Sequence, residues 1–303
     1  MNRIIPRSAD AELPILVVLS YDRAGRVSTI GQDAFSDLTK VLVVHNEEER
    51  DAYELFQDLN GASLVASGVR SGYPGSGKAR QMQWVWDQLD EGEMVIFADD
   101  DITKATHVPE PWSDWDNIDM EDPHQIPNGT SWGKVYATPV DAVAFRKLLS
   151  NVAQRMHQQN TILGGFASNG NHFFRTKHWR KVGFIVGHLT VMRKDNRFAF
   201  DPNIMLDDYR NVAEIVTKWG SVVIDNYAYF DHGMYQDGGL GPAEGRIEHR
   251  EDDVRVLMEQ YPRFFRIKNT GVMAGVDLSI NIQDRTLEAY AEQERVALGK
   301  GWL

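Results

Sequence analysis

The sequence predicts an α/β domain: a mixed, mainly parallel sheet flanked by helices, followed by a C-terminal helical extension. Three observations carry this. Short, continuously apolar and β-branched runs recur from Pro14 onward, the pattern of strands buried on both faces. Segments with helical periodicity separate those runs, the rhythm of βαβ units. Polar or glycine-rich residues follow the runs directly, and in open sheets of this kind ligands sit at the carboxyl ends of the strands.

Pro14 to Ser20 reads as the first strand, with polar Tyr21, Asp22 and Arg23 directly behind it. A helix is predicted over Ser28 to Leu38, then a buried strand from Lys40 to Val44 and an acidic helix from Glu47 to Leu59. A short strand over Ser63 to Val69, a glycine-rich loop from Gly72 to Gly77 and a helix from Lys78 to Leu89 lead to the run Met94-Val95-Ile96-Phe97-Ala98-Asp99-Asp100-Asp101. The connection from His107 to Gly133 is too long to be an idle loop. Its Trp112, Trp115 and Trp132 suit either core filling or stacking on a base or sugar ring. A helix is predicted from Pro139 to His157, since proline is tolerated in a first turn. Then come the Gly164 to Phe174 segment, a helix near Lys177 to Val182, a helix opening at Asp207 and Asp208, and a strand from Ser221 to Ile224. The tail holds a charged helix beyond Gly245, a strand from Val276 to Ile282 and a terminal helix from Asp284. No linker separates two domains, so residues 1–244 are expected to form one unit, with halves at 14–105 and 134–232, and 245–303 to pack on it.

At 303 residues and 42% hydrophobic content the chain can bury a sizeable core. No window approaches the ~20 apolar residues of a membrane span. The first ten residues lack a signal peptide's apolar segment, so a cytoplasmic protein away from the membrane is expected. The absence of cysteine removes disulfides, thiolate zinc sites and cysteine nucleophiles, leaving Asp, Glu and His as metal ligands. A net charge of −12 argues against a protein that coats nucleic acid, although a local basic groove remains open.

The most informative stretch is the one ending in Asp99, Asp100 and Asp101, where an apolar strand delivers adjacent carboxylates to one point. Such carboxylates raise one another's pKa unless a cation or polar ligand sits among them. In an extended chain Asp99 and Asp101 share one side and Asp100 takes the other. Two hard oxygen ligands on one side suit Mg²⁺ or Mn²⁺, which also bind nucleotide phosphates. An acidic surface loop at a strand end is the plain alternative. A phosphate-binding loop is the other rival, because Gly72-Tyr73-Pro74-Gly75-Ser76-Gly77-Lys78-Ala79 nearly has its spacing. Ala79 stands where the magnesium-binding hydroxyl belongs, and Pro74 removes a backbone donor. Lys78 and Arg80, at a helix start, remain suited to a diphosphate or a base.

In the order of these elements, most of Ile15 to His232 resembles a nucleotide-sugar glycosyltransferase of the GT-A type, a Rossmann-like fold. The shared features are the polar turn at Ser20 to Arg23, the Lys78-Ala79-Arg80 helix, the Asp99 to Asp101 strand end and Gly164-Gly165. They continue with an aromatic hairpin over Phe173 to Trp179, the helix opening Leu206-Asp207-Asp208-Tyr209-Arg210, the strand Gly220 to Ile224, and His232. The resemblance implies Mn²⁺ or Mg²⁺ at Asp99, Asp101 and His232, with Asp99 serving the ribose as an alternative. It implies a UDP-sugar held by Ser20, Tyr21, Arg23, Lys78, Arg80, Asp99 and Asp100, and Asp208 as the base of an inverting transfer. Gly164, Gly165, Asn169, Asn171 and Asp207 would meet the acceptor, and Gly238 to Gly241 has the composition of a lid. Within this family the chain resembles the TET-associated glycosyltransferases of bacteriophages, which implies 5-hydroxymethylcytosine in DNA as acceptor, in the host cytoplasm. Arg175, Lys177, Arg180, Lys181, Arg193, Lys194 and Arg197 are the candidate phosphate-backbone contacts. A protein or glycan acceptor is the alternative.

Overall fold

The computed structural model describes residues 3–10, 13–69, 77–107, 138–167, 178–232, 247–269 and 277–299. In chain order the first elements are β1 (Ile15–Leu19), β2 (Lys40–Val44), α1 (Glu47–Phe56), β3 (Ser63–Ala66), α2 (Gly77–Trp86) and β4 (Met94–Asp99). Next come β5 (Ile102–His107), β6 (Thr138–Pro139), α3 (Ala142–Gln158), β7 (Leu163–Ala167), β8 (Trp179–Arg180) and β9 (Leu189–Arg193). The chain closes with α4 (Asp207–Trp219), β10 (Val223–His232), α5 (Ile247–Gln260), β11 (Phe265–Ile267), β12 (Leu278–Ile280) and α6 (Leu287–Gly299).

One mixed sheet runs in the order β3-β2-β1-β4-β9-β7-β10-β5-β6, with β8 on β10. The first four strands are mutually parallel, as their unbroken apolar runs require. Beyond β4 the direction alternates: β9 is antiparallel to β4 and β7, β10 is parallel to β7, and β5 is antiparallel to β10. This topology brings the exits of β1, β4, β7 and β10 to one edge, together with the entries of β9 and β5.

The alternation of side chains sorts the core into two layers. Leu16, Val18, Leu42, Val44, Ile96 and Ala98 meet Tyr53 of α1 and Phe145, Leu149 and Val152 of α3. Ile15, Val17, Leu19, Val43, Val95 and Phe97 meet Met82 and Trp86 of α2 and Val212 and Val216 of α4. Val254, Leu257, Phe264, Phe265, Leu278 and Tyr290 of the C-terminal extension join that second layer. Helix starts are capped where the sequence provides for it: Asn46 accepts from the Glu49 amide and Asp141 from the Ala144 amide, each at 2.8 Å. Gly220, at φ 86°, ends α4 in the left-handed conformation that a side chain would disfavour.

Four predicted elements differ. The segment Ser28 to Leu38 is two 3₁₀ turns, Thr29–Gly31 and Asp33–Phe35, rather than a helix. Its polar groups serve the carboxylate turn instead: the Ser28 amide donates to the Asp100 carbonyl at 2.9 Å and Thr29 Oγ1 to the Asp99 carbonyl at 2.6 Å. Pro139 pairs with Thr106 in β6, and the helix starts only after the Asp141 cap. The helix predicted near Lys177 to Val182 is strand β8, held by Ile224 and Asp225. The strand predicted at Ser221 to Ile224 runs ten residues and reaches His232. Among the described residues no helix is long and apolar enough to cross a membrane.

Candidate functional site

At the edge where β1 and β4 end, the three aspartates part company. Asp99 is the last residue of β4 and faces the layer of α2, while Asp100 and Asp101 form the turn into β5. Strand alternation stops at Asp99, so the expected pairing of Asp99 with Asp101 on one side is corrected. Asp100 and Asp101 instead share Arg23, whose Nη1 lies 2.8 Å from Asp100 Oδ1 and 3.0 Å from Asp101 Oδ2. Ser20 Oγ, one residue past β1, bonds Asp100 Oδ2 and also Tyr53 Oη at 2.7 Å; that hydroxyl accepts the Arg23 amide at 2.9 Å. Burial pushes the Asp100 carboxyl up to about 6, against the pull of Ser20 and Arg23. Burial lowers the Arg23 guanidinium, but its two carboxylates outweigh that and leave it raised. Asp101 Oδ1 is buried and has no hydrogen-bond partner.

Asp99 meets Lys78 at the start of α2. Lys78 Nζ lies 2.6 Å from Asp99 Oδ1 and donates to the Gly187 carbonyl at 2.8 Å. Burial would lower this ammonium, and Asp99, Asp207 and Asp208 together hold it well above its ordinary value. Two of its three protons are thereby engaged, one by the Asp99 carboxylate and one by a backbone carbonyl. Asp207 and Asp208 open α4 as expected. Burial raises Asp207, with Lys78 opposing. Burial and the neighbouring Asp207 push Asp208 up to about 7, again against Lys78. Asp208 Oδ1 accepts its neighbour's amide, from Tyr209, at 2.9 Å. Gly187 threads between them: a Cβ there would lie 3.2 Å from Lys78 Nζ and 3.5 Å from Asp208 Cβ. Beside it a mostly apolar cavity of about 10 Å³ lies between Met82, Leu163, Ile185, Met192 and Val212 on one hand and Thr190, Asn211, Asp207 and Asp208 on the other.

His232 closes β10 opposite Ile102, next to Asp101. Its ring stacks on that of His188, with centroids 4.2 Å apart and planes 18° apart. Burial, with His232 adding to it, drives His188 down to about 3, so its imidazole is neutral near pH 7. The Nδ1 atoms of both rings are buried without partners. Sequence reasoning passed over His188. It precedes a strand whose partner is β4, and its carbonyl accepts the Asp99 amide at 2.9 Å, a proximity visible only once β9 is placed.

Among the described residues no three His, Asp or Glu side chains converge as a ready-made metal group. The residues nevertheless fit a divalent cation. Buried acceptors without donors are rare in folded proteins. Asp101 Oδ1 and His232 Nδ1 are two such atoms at one strand junction. The carboxylate oxygen suits either Mn²⁺ or Mg²⁺, and the imidazole nitrogen favours the transition metal Mn²⁺ over the harder Mg²⁺, with water and phosphate completing the shell.

No family model and no curated protein matches the chain. Among solved structures, the apo-form glycosyltransferase GlyE of Streptococcus pneumoniae TIGR4 is similar at 13% identity and a TM-score of 0.18. The match covers 48% of this chain and 39% of that one, so the chain spans well under half of the structure it matches. That likeness is too slight to carry an argument.

The remaining predicted positions divide. Tyr21 is exposed at the rim, edge-on to His45 at 5.7 Å, and Arg80 is half-buried on α2. Gly164 and Gly165 lie inside β7, where close approach is made by the protein itself. A Cβ on Gly164 would sit 2.4 Å from Val152 Cγ1, and one on Gly165 2.3 Å from Ile185 Cγ2. Packing therefore accounts for both glycines. Arg193, Lys194 and Arg197 lie where β4 begins, at the far end from Asp99, because β9 runs antiparallel to β4. Arg197 is paired with Asp195, and Lys194 lies 4.9 Å over the Trp86 ring. Asn169, Asn171, Arg175, Lys177, the three tryptophans Trp112, Trp115 and Trp132, residues 72–76 and Gly238 to Gly241 lie outside the described residues.

Proposed function

We propose that the chain is a GT-A type glycosyltransferase that moves a sugar from a UDP-sugar to an acceptor hydroxyl. The observation that carries this reading is the strand-end cluster: the partnerless Asp101 oxygen beside His232, across the Lys78 and Asp99 pair from Asp208. Asp101 and His232 would hold Mn²⁺ or Mg²⁺, which when bound neutralises the leaving diphosphate. The network of Ser20, Tyr53, Arg23 and Asp100 fixes the turn that presents Asp101. Tyr21, exposed beside it, would meet the uracil ring, and Asp99, still partly open, would hold the ribose. Asp208 takes the acceptor's proton as the acceptor oxygen bonds to the sugar's anomeric carbon and the bond from that carbon to the phosphate oxygen breaks. A carboxyl near 7 is suited to that task, being a stronger base than an ordinary aspartate yet largely ionised at slightly alkaline pH.

The resemblance to phage enzymes supports the 5-hydroxymethyl group of a DNA pyrimidine as the acceptor. A protein or glycan acceptor is the second reading, favoured by the net charge of −12 and by Arg193, Lys194 and Arg197 lying at the far strand ends. Incubation with hydroxymethylated and unmodified DNA, Mn²⁺ and a panel of UDP-sugars, followed by nucleoside mass spectrometry, tests both. A sugar mass confined to the hydroxymethylated base is the expected result. UDP release with sugar found only on added protein or glycan moves the acceptor to the second reading. No UDP release with any acceptor ends the glycosyl-transfer reading.

A further inference from the structure

The entry to α4, where Asp208 sits, has no side-chain cap at its N-cap position, although Asp208 itself takes the Tyr209 amide. Its N-cap position is Leu206, a buried apolar residue with no side chain to offer the helix amides. The backbone there is held from 47 residues further along the chain. Asp253, in the middle of α5 and 6% exposed, accepts the Met205 amide at 2.7 Å and the Leu206 amide at 3.0 Å. A second link from the same extension lands one residue past Asp208: Tyr209 Oη donates to Asp277 Oδ1 at 3.1 Å. Asp277 is itself held by Arg250 at 2.6 Å and Lys268 at 2.5 Å. The extension thus grips the chain on both sides of Asp207 and Asp208.

We propose that the C-terminal extension is a working part of the site, with Asp253 as the positioning residue that fixes where the Asp208 carboxylate stands. The role assigned to Asp208 rests on the glycosyltransferase reading; the bracket itself does not. A carboxylate that accepts two amides holds them by charge-assisted bonds, stronger than neutral ones and directional. Catalytic groups displaced by about 1 Å lose about a hundredfold in rate. A bracket that holds Met205 and Leu206 therefore acts on turnover through Asp208, and leaves donor binding at the β1 and β4 ends alone.

The test uses the full chain and three variants. Asp253→Asn keeps an acceptor oxygen in place, Asp253→Glu keeps the charge but carries it one methylene too far, and Asp253→Ala removes the bracket. Amide hydrogen exchange at Met205 and Leu206 is read alongside kcat and donor KM. Asp253→Ala is expected to speed exchange at both amides about tenfold or more and to lower kcat by about ten- to a hundredfold with donor KM unchanged. Asp253→Asn is expected to recover most of both losses, and Asp253→Glu to fall between. If Asp253→Ala does not fold, the ranking of Asn above Glu carries the test. Unchanged exchange in Asp253→Ala, a loss shared equally by Asn and Ala, or a rise in donor KM in place of the fall in kcat each overturns the proposal. If the wild type transfers no sugar to any acceptor, the glycosyltransferase reading fails. The exchange data then still decide whether Asp253 holds the α4 entry.

Discussion

Lys78→Met removes the cation that, among the described residues, acts on Asp99, Asp207 and Asp208 together, at nearly constant volume. Lys78 is 19% exposed at its side chain and Asp99 30%, so the pair is mostly but not fully out of water. Breaking a buried pair by deleting one partner costs about 3–5 kcal/mol; solvent at Asp99 reduces this to about 2–3 kcal/mol. For a chain of this size that is a fall in Tm of about 4–12 °C. The pH dependence gives a sharper check. The Asp208 carboxyl lies near 7 in the folded protein and near 3.8 when unconstrained, so the folded state holds the extra proton between those values. Its contribution is fully present below the lower value and is lost as pH rises through the higher one. Lys78 limits that loss by stabilising the ionised form. The deficit of Lys78→Met should therefore be larger at pH 8 than at pH 5, and the rise of kcat with pH should move above the wild-type position. Thermal melts across pH 5–8 measure the first and a pH–rate profile the second. A deficit equal at both ends, or an unchanged Tm, would refute the assignment of Lys78 as the shared counter-ion.

Gly164→Ala places a Cβ 2.4 Å from Val152 Cγ1 and 2.8 Å from Met156 Sδ, so a loss of about 1–3 kcal/mol is expected, partly relieved by adding Val152→Ala. A single variant that melts with the wild type would show that β7 does not need its glycine for packing. Arg23→Gln leaves Asp100 and Asp101 facing each other without their cation. About 3–5 kcal/mol should be lost in urea unfolding at pH 8 and less below pH 6, where the Asp100 carboxyl is protonated; equal midpoints would contradict this. Asp208→Asn should lower kcat by about a hundredfold or more while UDP affinity holds. Retained turnover would remove Asp208 from the base role.

The parallel half of the sheet was legible because strands buried on both faces must be largely apolar, as β1 is throughout, β2 after Lys40 and β4 before Asp99. The helix opening at Asp207 and Asp208 was legible for a similar reason, its acids standing directly before an amphipathic run. What the sequence hid were partners brought in from a distance. The periodicity of Ile30, Ala34, Phe35 and Leu38 imitates a helix, but the amide of Ser28 and the hydroxyl of Thr29 are taken by the Asp99 to Asp100 backbone. Strand alternation placed Asp101 beside Asp99 only because the turn after Asp99 carries no glycine or proline to announce it. His188 and Asp253 were silent for a deeper reason: each matters through a backbone contact, His188 through its carbonyl and Asp253 through two amides, and such contacts leave no mark in residue type.

In the proposed reaction Asp101 and His232 would hold the cation that receives the diphosphate of UDP. Calorimetric titration of UDP into the wild type, Asp101→Asn and His232→Ala, each with Mn²⁺ and with chelator, addresses it directly. Saturable binding to the wild type in Mn²⁺ is expected, weakened about tenfold or more by the chelator and by either substitution. UDP affinity that is the same with and without Mn²⁺, or untouched by Asp101→Asn, would contradict it.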